Sequence, residues 1–283
     1  MDAVLLFSGQ GAQKVGMGKD LYDQYPVAKA LIEQADKALG ESLSAVMFEG
    51  PGEELTRTCN CQPALYVHGL ACLAVLKELV PSLNPVAAAG LSLGEFTAHA
   101  AAGTYSFEEG LRLVQKRGAF MEEACNATKG TMAAMIGGTD ENVIKLAQEC
   151  DVDVANFNCP GQTVVSGTEE GVAKAVAGAK AAGCKIAKKL NVAGAYHSRL
   201  MHSAMVKLAE ELKNISFGTP SMPVYCNYEA RVVEGPDDIR SMLEHQVCGS
   251  VRWTASMQKL VDQGHRLFIE LGPGKTPVSY THL

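Results

Sequence analysis

Val86-Ala87-Ala88-Ala89-Gly90-Leu91-Ser92-Leu93-Gly94 is an apolar run that breaks at a serine between two glycines and passes at once into a helical pattern reaching about Ala102. The run reads as a buried strand, and the G-x-S-x-G turn between strand and helix is the context a nucleophile elbow requires. Glycines flank the serine because the turn is strained and backbones pass close, so the hydroxyl stands exposed at the end of the strand. The helix N-terminus beneath it favours developing negative charge. This one segment points to an α/β sheet with a nucleophile at a strand end.

Working outward, Val4–Phe7 is a second short apolar run, ending in Ser8-Gly9-Gln10-Gly11. It reads as a buried strand running into a tight loop that can aim backbone N–H groups at an anion. Position 14 is Lys, which excludes a Rossmann fingerprint, and no Gly-Lys-Ser/Thr follows, which excludes a P-loop. Helical patterns cover about 19–40 and, with Pro63 read as the first helical position, about 64–79. Ser106-Phe107-Glu108-Glu109 is a capping box opening a helix to about Ala124.

Residues 130–190 change rhythm. Strands at Thr131–Ile136, Val152–Phe157, Thr163–Ser166 and Cys184–Leu190 alternate with helices at Asp140–Cys150 and Glu169–Ala182. The order β-α-β-β-α-β is the ferredoxin-like unit. The fold expected is therefore α/β: a large α/β-hydrolase-like domain with a parallel sheet, discontinuous over 1–127 and 195–283, and a small ferredoxin-like domain inserted at 128–194. After the insertion come helices at about 198–213, 236–244 and 253–263 and strands at Pro223–Asn227 and Leu267–Leu271.

Composition sets the outer bounds. With 283 residues, 47% hydrophobic and 20% charged, the chain can build a sizeable core. Its formal net charge of −6 carries no mark of a nucleic-acid binder. No run of about 18 apolar residues occurs, which argues against a membrane span, and the N-terminus lacks a secretory pattern. Nine scattered cysteines without a CxxC pair read as reduced thiols. Neither the Cys and His spacing nor an HExxH motif suggests a metal.

Ser92 needs a base. His197, in Gly194-Ala195-Tyr196-His197-Ser198, lies in a strand-to-helix loop, where sites gather in α/β sheets. His68, His99 and His202 fall within helical runs and read as packed or solvated imidazoles.

Taken together the motifs resemble the malonyl-CoA:acyl-carrier-protein transacylases of type II fatty acid synthesis. The motifs are Phe7-Ser8-Gly9-Gln10-Gly11-Ala12-Gln13, Gln62-Pro63-Ala64, Gly90-Leu91-Ser92-Leu93-Gly94-Glu95, Lys116-Arg117-Gly118, Asn158-Cys159-Pro160-Gly161-Gln162, Gly194-Ala195-Tyr196-His197, Val251-Arg252-Trp253 and Glu270-Leu271-Gly272-Pro273-Gly274-Lys275. The resemblance implies that Ser92 is the nucleophile and His197 the general base and acid. It implies an oxyanion hole from the backbone N–H groups of Gln10 and Leu93, and a bidentate hold by Arg117 on the substrate's free carboxylate. It makes the Gln246 backbone carbonyl the group that orients His197, and puts Gln62 and Asn158 at pocket positions. Tyr196 is the bulky choice associated with malonyl over methylmalonyl.

The activity so implied is malonyl transfer from malonyl-CoA to the phosphopantetheine thiol of holo acyl carrier protein, through a malonyl-serine. It needs no metal or organic cofactor, and a monomer is expected. Alternatives are a serine hydrolase or thioesterase, a transferase of another acyl group in polyketide synthesis, and a silent carrier-protein scaffold. Carrier-protein contact would be transient and electrostatic, with Lys185, Lys188, Lys189 and Arg199 as contributors. Nucleic acid and membrane are not expected as partners. Many members have His where this chain has Leu91, a variant familiar from plastid-type members. That points to the plastid stroma, with bacterial cytoplasm as the alternative. The tail 276–283 (TPVSYTHL) departs from the family pattern.

Overall fold

The N-terminal apolar run forms a strand buried on both faces. The computed structural model describes residues 1–275, 277 and 279, so most of the departing tail lies outside the described residues. Strand β1 (Asp2–Phe7) is followed by helices α1 (Lys19–Gln24), α2 (Pro26–Leu39), α3 (Leu43–Glu49), α4 (Gly52–Thr56) and α5 (Thr58–Leu79). Next come β2 (Asn84–Gly90), α6 (Leu93–Ala101) and α7 (Phe107–Ala127). Then follow β3 (Gly130–Ile136), α8 (Asp140–Glu149), β4 (Asp153–Cys159), β5 (Gln162–Thr168), α9 (Glu169–Gly178) and β6 (Ile186–Lys189). The chain ends with α10 (His202–Lys213), β7 (Val224–Tyr225), α11 (Pro236–His245), α12 (Trp253–Asp262) and β8 (Phe268–Leu271).

The first sheet runs β7-β2-β1-β8, all parallel. Alternation along β1 explains its unbroken apolar character: Leu5 and Phe7 enter the core on one face, Val4 and Leu6 that on the other. The second sheet runs β4-β5-β3-β6, all antiparallel, and its elements follow one another along the chain as the ferredoxin-like unit read from the sequence. Ala133 and Met135 of β3 pack against α8 and α9. Met132 and Ala134, pointing the other way, line a cavity between the two sheets. Strand β4 is tied by backbone to the segment before α12: Phe157 N–H donates to the Val251 carbonyl (2.9 Å) and Val251 N–H to that of Ala155 (2.8 Å).

Three local expectations change. Helix α5 starts at Thr58, so Pro63 lies inside it. The Arg57 carbonyl accepts from the N–H groups of Asn60 and Cys61 and starts the helix, and the missing Pro63 N–H forfeits only the bond to the Cys59 carbonyl. The pattern at 19–40 is two helices, because Tyr25 before Pro26 is extended (φ −125°, ψ 112°). Finally, α5 is long and apolar enough to cross a membrane by length and composition, with a mean hydropathy of 1.3. It is a core helix nonetheless, with 72% of its most apolar 18-residue stretch buried, and it packs against α2 and α7.

Glycine is required where the two turns of the elbow approach backbone. A Cβ at Gly90 would meet the Gly94 backbone, and one at Gly94 would meet the Phe7 carbonyl. Gly94→Ala should therefore lower stability by about 1–3 kcal/mol. Urea unfolding checks this, and a midpoint equal to that of the wild type would show that the α6–β1 contact is not tight.

Candidate active site

Ser92 sits between β2 and α6 with φ 52° and ψ −105°, a conformation that L-residues rarely adopt. Such strain costs about 1–3 kcal/mol and persists only where neighbours over-determine it. Here the neighbour is Asn227, just after β7. Its Oδ1 accepts from the Ser92 N–H (2.7 Å) and its Nδ2 donates to the Gly90 carbonyl (2.8 Å).

His197, also at positive φ (54°), brings Nε2 within 2.8 Å of Ser92 Oγ across 105 residues of sequence. Its Nδ1 lies 2.9 Å from the Gln246 carbonyl. A carbonyl only accepts, so the proton resides on Nδ1 and the Nε2 lone pair faces the hydroxyl. That carbonyl is available because Gln246 caps the C-terminus of α11, where the last carbonyls have no partner within the helix. Burial, then the nearby Arg117 charge, pushes His197 down to about 4, so it is a neutral base at neutral pH.

Arg117 is the unusual member. It lies on α7 among the buried positions Val114, Gly118 and Met121, and is itself 1% exposed. Nη1 donates to Gln62 Oε1 (2.7 Å); Nη2 donates to Ser92 Oγ (3.1 Å) and to Gln246 Oε1 (2.9 Å). The guanidinium carbon stands 5.0 Å from the centre of the Phe96 ring. Nε is buried without an acceptor among the described residues. Burial pushes Arg117 down to about 10, which leaves it cationic near neutrality.

Beneath it lies a carboxylate that sequence reasoning passed over. Glu95 Oε2 accepts from the Asn227 N–H (2.9 Å) and from Gln246 Nε2 (2.6 Å), which also donates to the Ser92 carbonyl (2.9 Å). Burial pushes Glu95 up to about 7. One signal in the sequence is its spacing, one helical turn after Ser92 in G-L-S-L-G-E.

A cavity of about 540 Å³ opens over Ser92 and His197. Gln10, Asn158 and Tyr196 lie on its wall. Gln62 does not line it but holds Arg117 from behind, also donating to Met121 Sδ (3.4 Å). Leu93 opens α6, and neither its N–H nor that of Gln10 is engaged by another described residue. His99 is buried against Thr104 Oγ1 and His68 lies near Cys72, both apart from the site. His202 begins α10. Among the described residues no cluster of three or more His, Cys, Asp or Glu could hold a metal, and all nine cysteines are free. The arrangement can form and break a serine ester next to a buried cation.

The acyl transferase domain family model matches residues 4–276. The chain is 44% identical to the malonyl CoA-acyl carrier protein transacylase of Bacillus subtilis (strain 168) over 275 residues, 95% of this chain and 86% of that protein. With its namesake in Escherichia coli (strain K12) the identity is 40% over 280 residues, 98% and 90% of the two chains. Among solved structures it is similar to an acyl carrier protein S-malonyltransferase from Vibrio cholerae O1 (TM-score 0.94, 37% identity, 98% and 92% covered). It is also similar to a malonyl-transacylase in complex with its type II polyketide acyl-carrier protein (TM-score 0.95, 36% identity, 99% and 92% covered).

The electrostatics generate a pH dependence. The base works only when neutral, so acylation of Ser92 should fall as pH drops through about 4, the value His197 holds in the fold. In Arg117→Ala one of the two lowering causes is gone, so the acid limb should move up toward the ordinary histidine value. The rate of protein mass gain with a p-nitrophenyl ester checks both. An unshifted limb in the variant would mean that His197 does not feel the guanidinium.

Proposed function

The chain belongs to the acyl transferase domain family, and from that premise we propose that it transfers a malonyl group from malonyl-CoA to the thiol of acyl carrier protein. The observation that carries this reading is a buried guanidinium whose Nη2 stands 3.1 Å from the serine hydroxyl and whose Nε has no acceptor among the described residues. A cation stripped of water beside a nucleophile calls for an acyl group that ends in an anion, and guanidinium pairs with carboxylate in a planar fork.

The steps follow from the hydrogen bonds. Ser92 Oγ attacks the thioester carbonyl while His197 Nε2 takes its proton. Charge gathers on the carbonyl oxygen, for which the N–H groups of Gln10 and Leu93 are the available donors. The tetrahedral species collapses, the C–S bond breaks, and His197 returns the proton to the CoA sulfur. Malonyl-Ser92 remains, its carboxylate on Arg117. The carrier thiol then gives its proton to His197 and attacks the ester, and the proton goes back to Ser92. The Gln246 carbonyl steadies the imidazolium in both halves without a full negative charge. A thioester is reactive enough for that weaker support. No group outside the chain and its two substrates is required by these steps.

Carrier-protein docking is proposed at the edge strand β6. Arg199 is taken up by Asp151 and Asp153, and Lys189 lies near Glu169. Lys185 and Lys188 have no acidic partner among the described residues. Lys188 pairs with Ala134, so both side chains fall on the cavity side of the sheet. The free thiols and Leu91 support the plastid stroma as compartment, while the bacterial relatives support the cytoplasmic alternative. A monomer remains the proposed state.

Brief exposure to malonyl-CoA without carrier should add one malonyl unit to Ser92, and release on adding holo carrier protein should far outpace hydrolysis. Fast CoA release without the acceptor would favour the hydrolase. Arg117→Ala should lose malonyl transfer and keep acetyl transfer, and a retained malonyl preference would remove the clamp. Lys185→Glu with Lys188→Glu should raise KM for carrier protein by about tenfold and spare KM for malonyl-CoA; unchanged kinetics would take β6 out of the interface.

A further inference from the structure

We infer that Asn227 is a positioning residue for the nucleophile: its one amide bridges the carbonyl of Gly90 and the N–H of Ser92 and so holds the elbow in its strained form. This rests on the reading of Ser92 as the nucleophile. Oδ1 accepts from Ser92 N–H at 2.7 Å and Nδ2 donates to the Gly90 carbonyl at 2.8 Å, which closes the turn around Leu91. The amide has no freedom to follow a relaxing turn. The Asn227 N–H is held by Glu95 Oε2 (2.9 Å) and its carbonyl by the Arg252 N–H (2.9 Å), and the residue is buried.

The elbow needs such a hold because Ser92 pays for positive φ without being glycine. In that backbone state Oγ lies at once 2.8 Å from His197 Nε2 and 3.1 Å from Arg117 Nη2. A turn released toward ordinary φ would carry the hydroxyl away from both. Asn227 does not line the cavity, and both atoms of its amide are engaged by the backbone of the elbow. It also takes up the Ser92 N–H, which leaves the Leu93 N–H, not that of Ser92, for the developing oxyanion. Its signature is thus a fall in the rate of attack by Ser92 on any electrophile, with substrate affinity unchanged.

Phenylmethylsulfonyl fluoride reads that attack without a carboxylate or CoA. In Asn227→Ala, sulfonylation of Ser92 and single-turnover malonylation should slow by the same factor, about 10- to 100-fold, with KM for malonyl-CoA within about twofold of wild type. Asn227→Asp keeps the acceptor for Ser92 N–H but turns an oxygen toward the Gly90 carbonyl, and its rates should fall between. Sulfonylation at the wild-type rate in these variants, or a loss confined to KM, overturns the inference. Should Asn227→Ala fail to unfold cooperatively on heating, the Asn227→Asp rate decides alone. A wild-type protein that is sulfonylated at Ser92 but takes no malonyl group overturns the malonyl reading and leaves the role of Asn227 to the variants.

Discussion

A guanidinium taken out of water sets the terms for everything around it. Desolvating a cation of this size costs several kcal/mol unless acceptors replace its hydration. Arg117 receives them from three directions: Gln62 on α5, Ser92 at the elbow and Gln246 at the end of α11. The Phe96 ring adds a face of negative potential at 5.0 Å. Glu95 is the nearest carboxylate that favours the charged guanidinium, and it acts across the Gln246 amide, not by direct contact. An ion pair in direct contact would leave the guanidinium little reason to accept a second carboxylate. The interposed amide keeps the charge balanced while leaving donors unspent.

That amide also ties two functions to one residue. The Gln246 carbonyl orients His197 while its side chain reaches Arg117, Glu95 and the Ser92 carbonyl. Glu95, when ionised, only accepts, so the Gln246 N–H groups must face it and the oxygen must face Arg117. The polarity of the whole cluster is fixed by one buried acid. The same acid holds the backbone of Asn227, so nucleophile, base and cation share a single anchor.

How much of this the sequence disclosed depends on whether the work is done by a side chain or by backbone. Two flanking glycines and a strand–helix switch mark Ser92, because sterics leave few other ways to build the turn. His197 was visible by its loop. The roles proposed for Gln10, Leu93 and the Gln246 carbonyl belong to peptide groups, which any residue type could supply, so beyond the glycine-rich loop at Gln10 only the family resemblance pointed to them. Arg117 carried an unread signal: 110, 114, 117, 121 and 124 fall on one buried stripe of α7, and a charge in that phase is not a solvated one. Glu95 lies in a helix buried from Leu93 to His99, where the same reasoning applies. Asn227 could not be found this way, since a polar residue beside a two-residue strand looks like any turn. The split at Tyr25 was missed because periodicity outweighed the local effect of proline, and the early start of α5 because Pro63 was given too much weight as a first helical position.

The place of the second sheet follows from the same chemistry. The chain leaves the larger unit after α7, the helix that carries Arg117, and returns at the loop that carries His197. Both ends of the insertion are therefore bolted to the site: a Cβ at Gly130 would sit 2.6 Å from that of Ala195, so the outgoing and returning chains touch. The distance between serine and guanidinium is set by α6, α7 and their partners in the larger unit. The inserted sheet contributes only wall, through Met132, Ala134, Asn158 and Val164. The polar cluster around Ser92 and Arg117 and the wall that faces it therefore come from different parts of the chain.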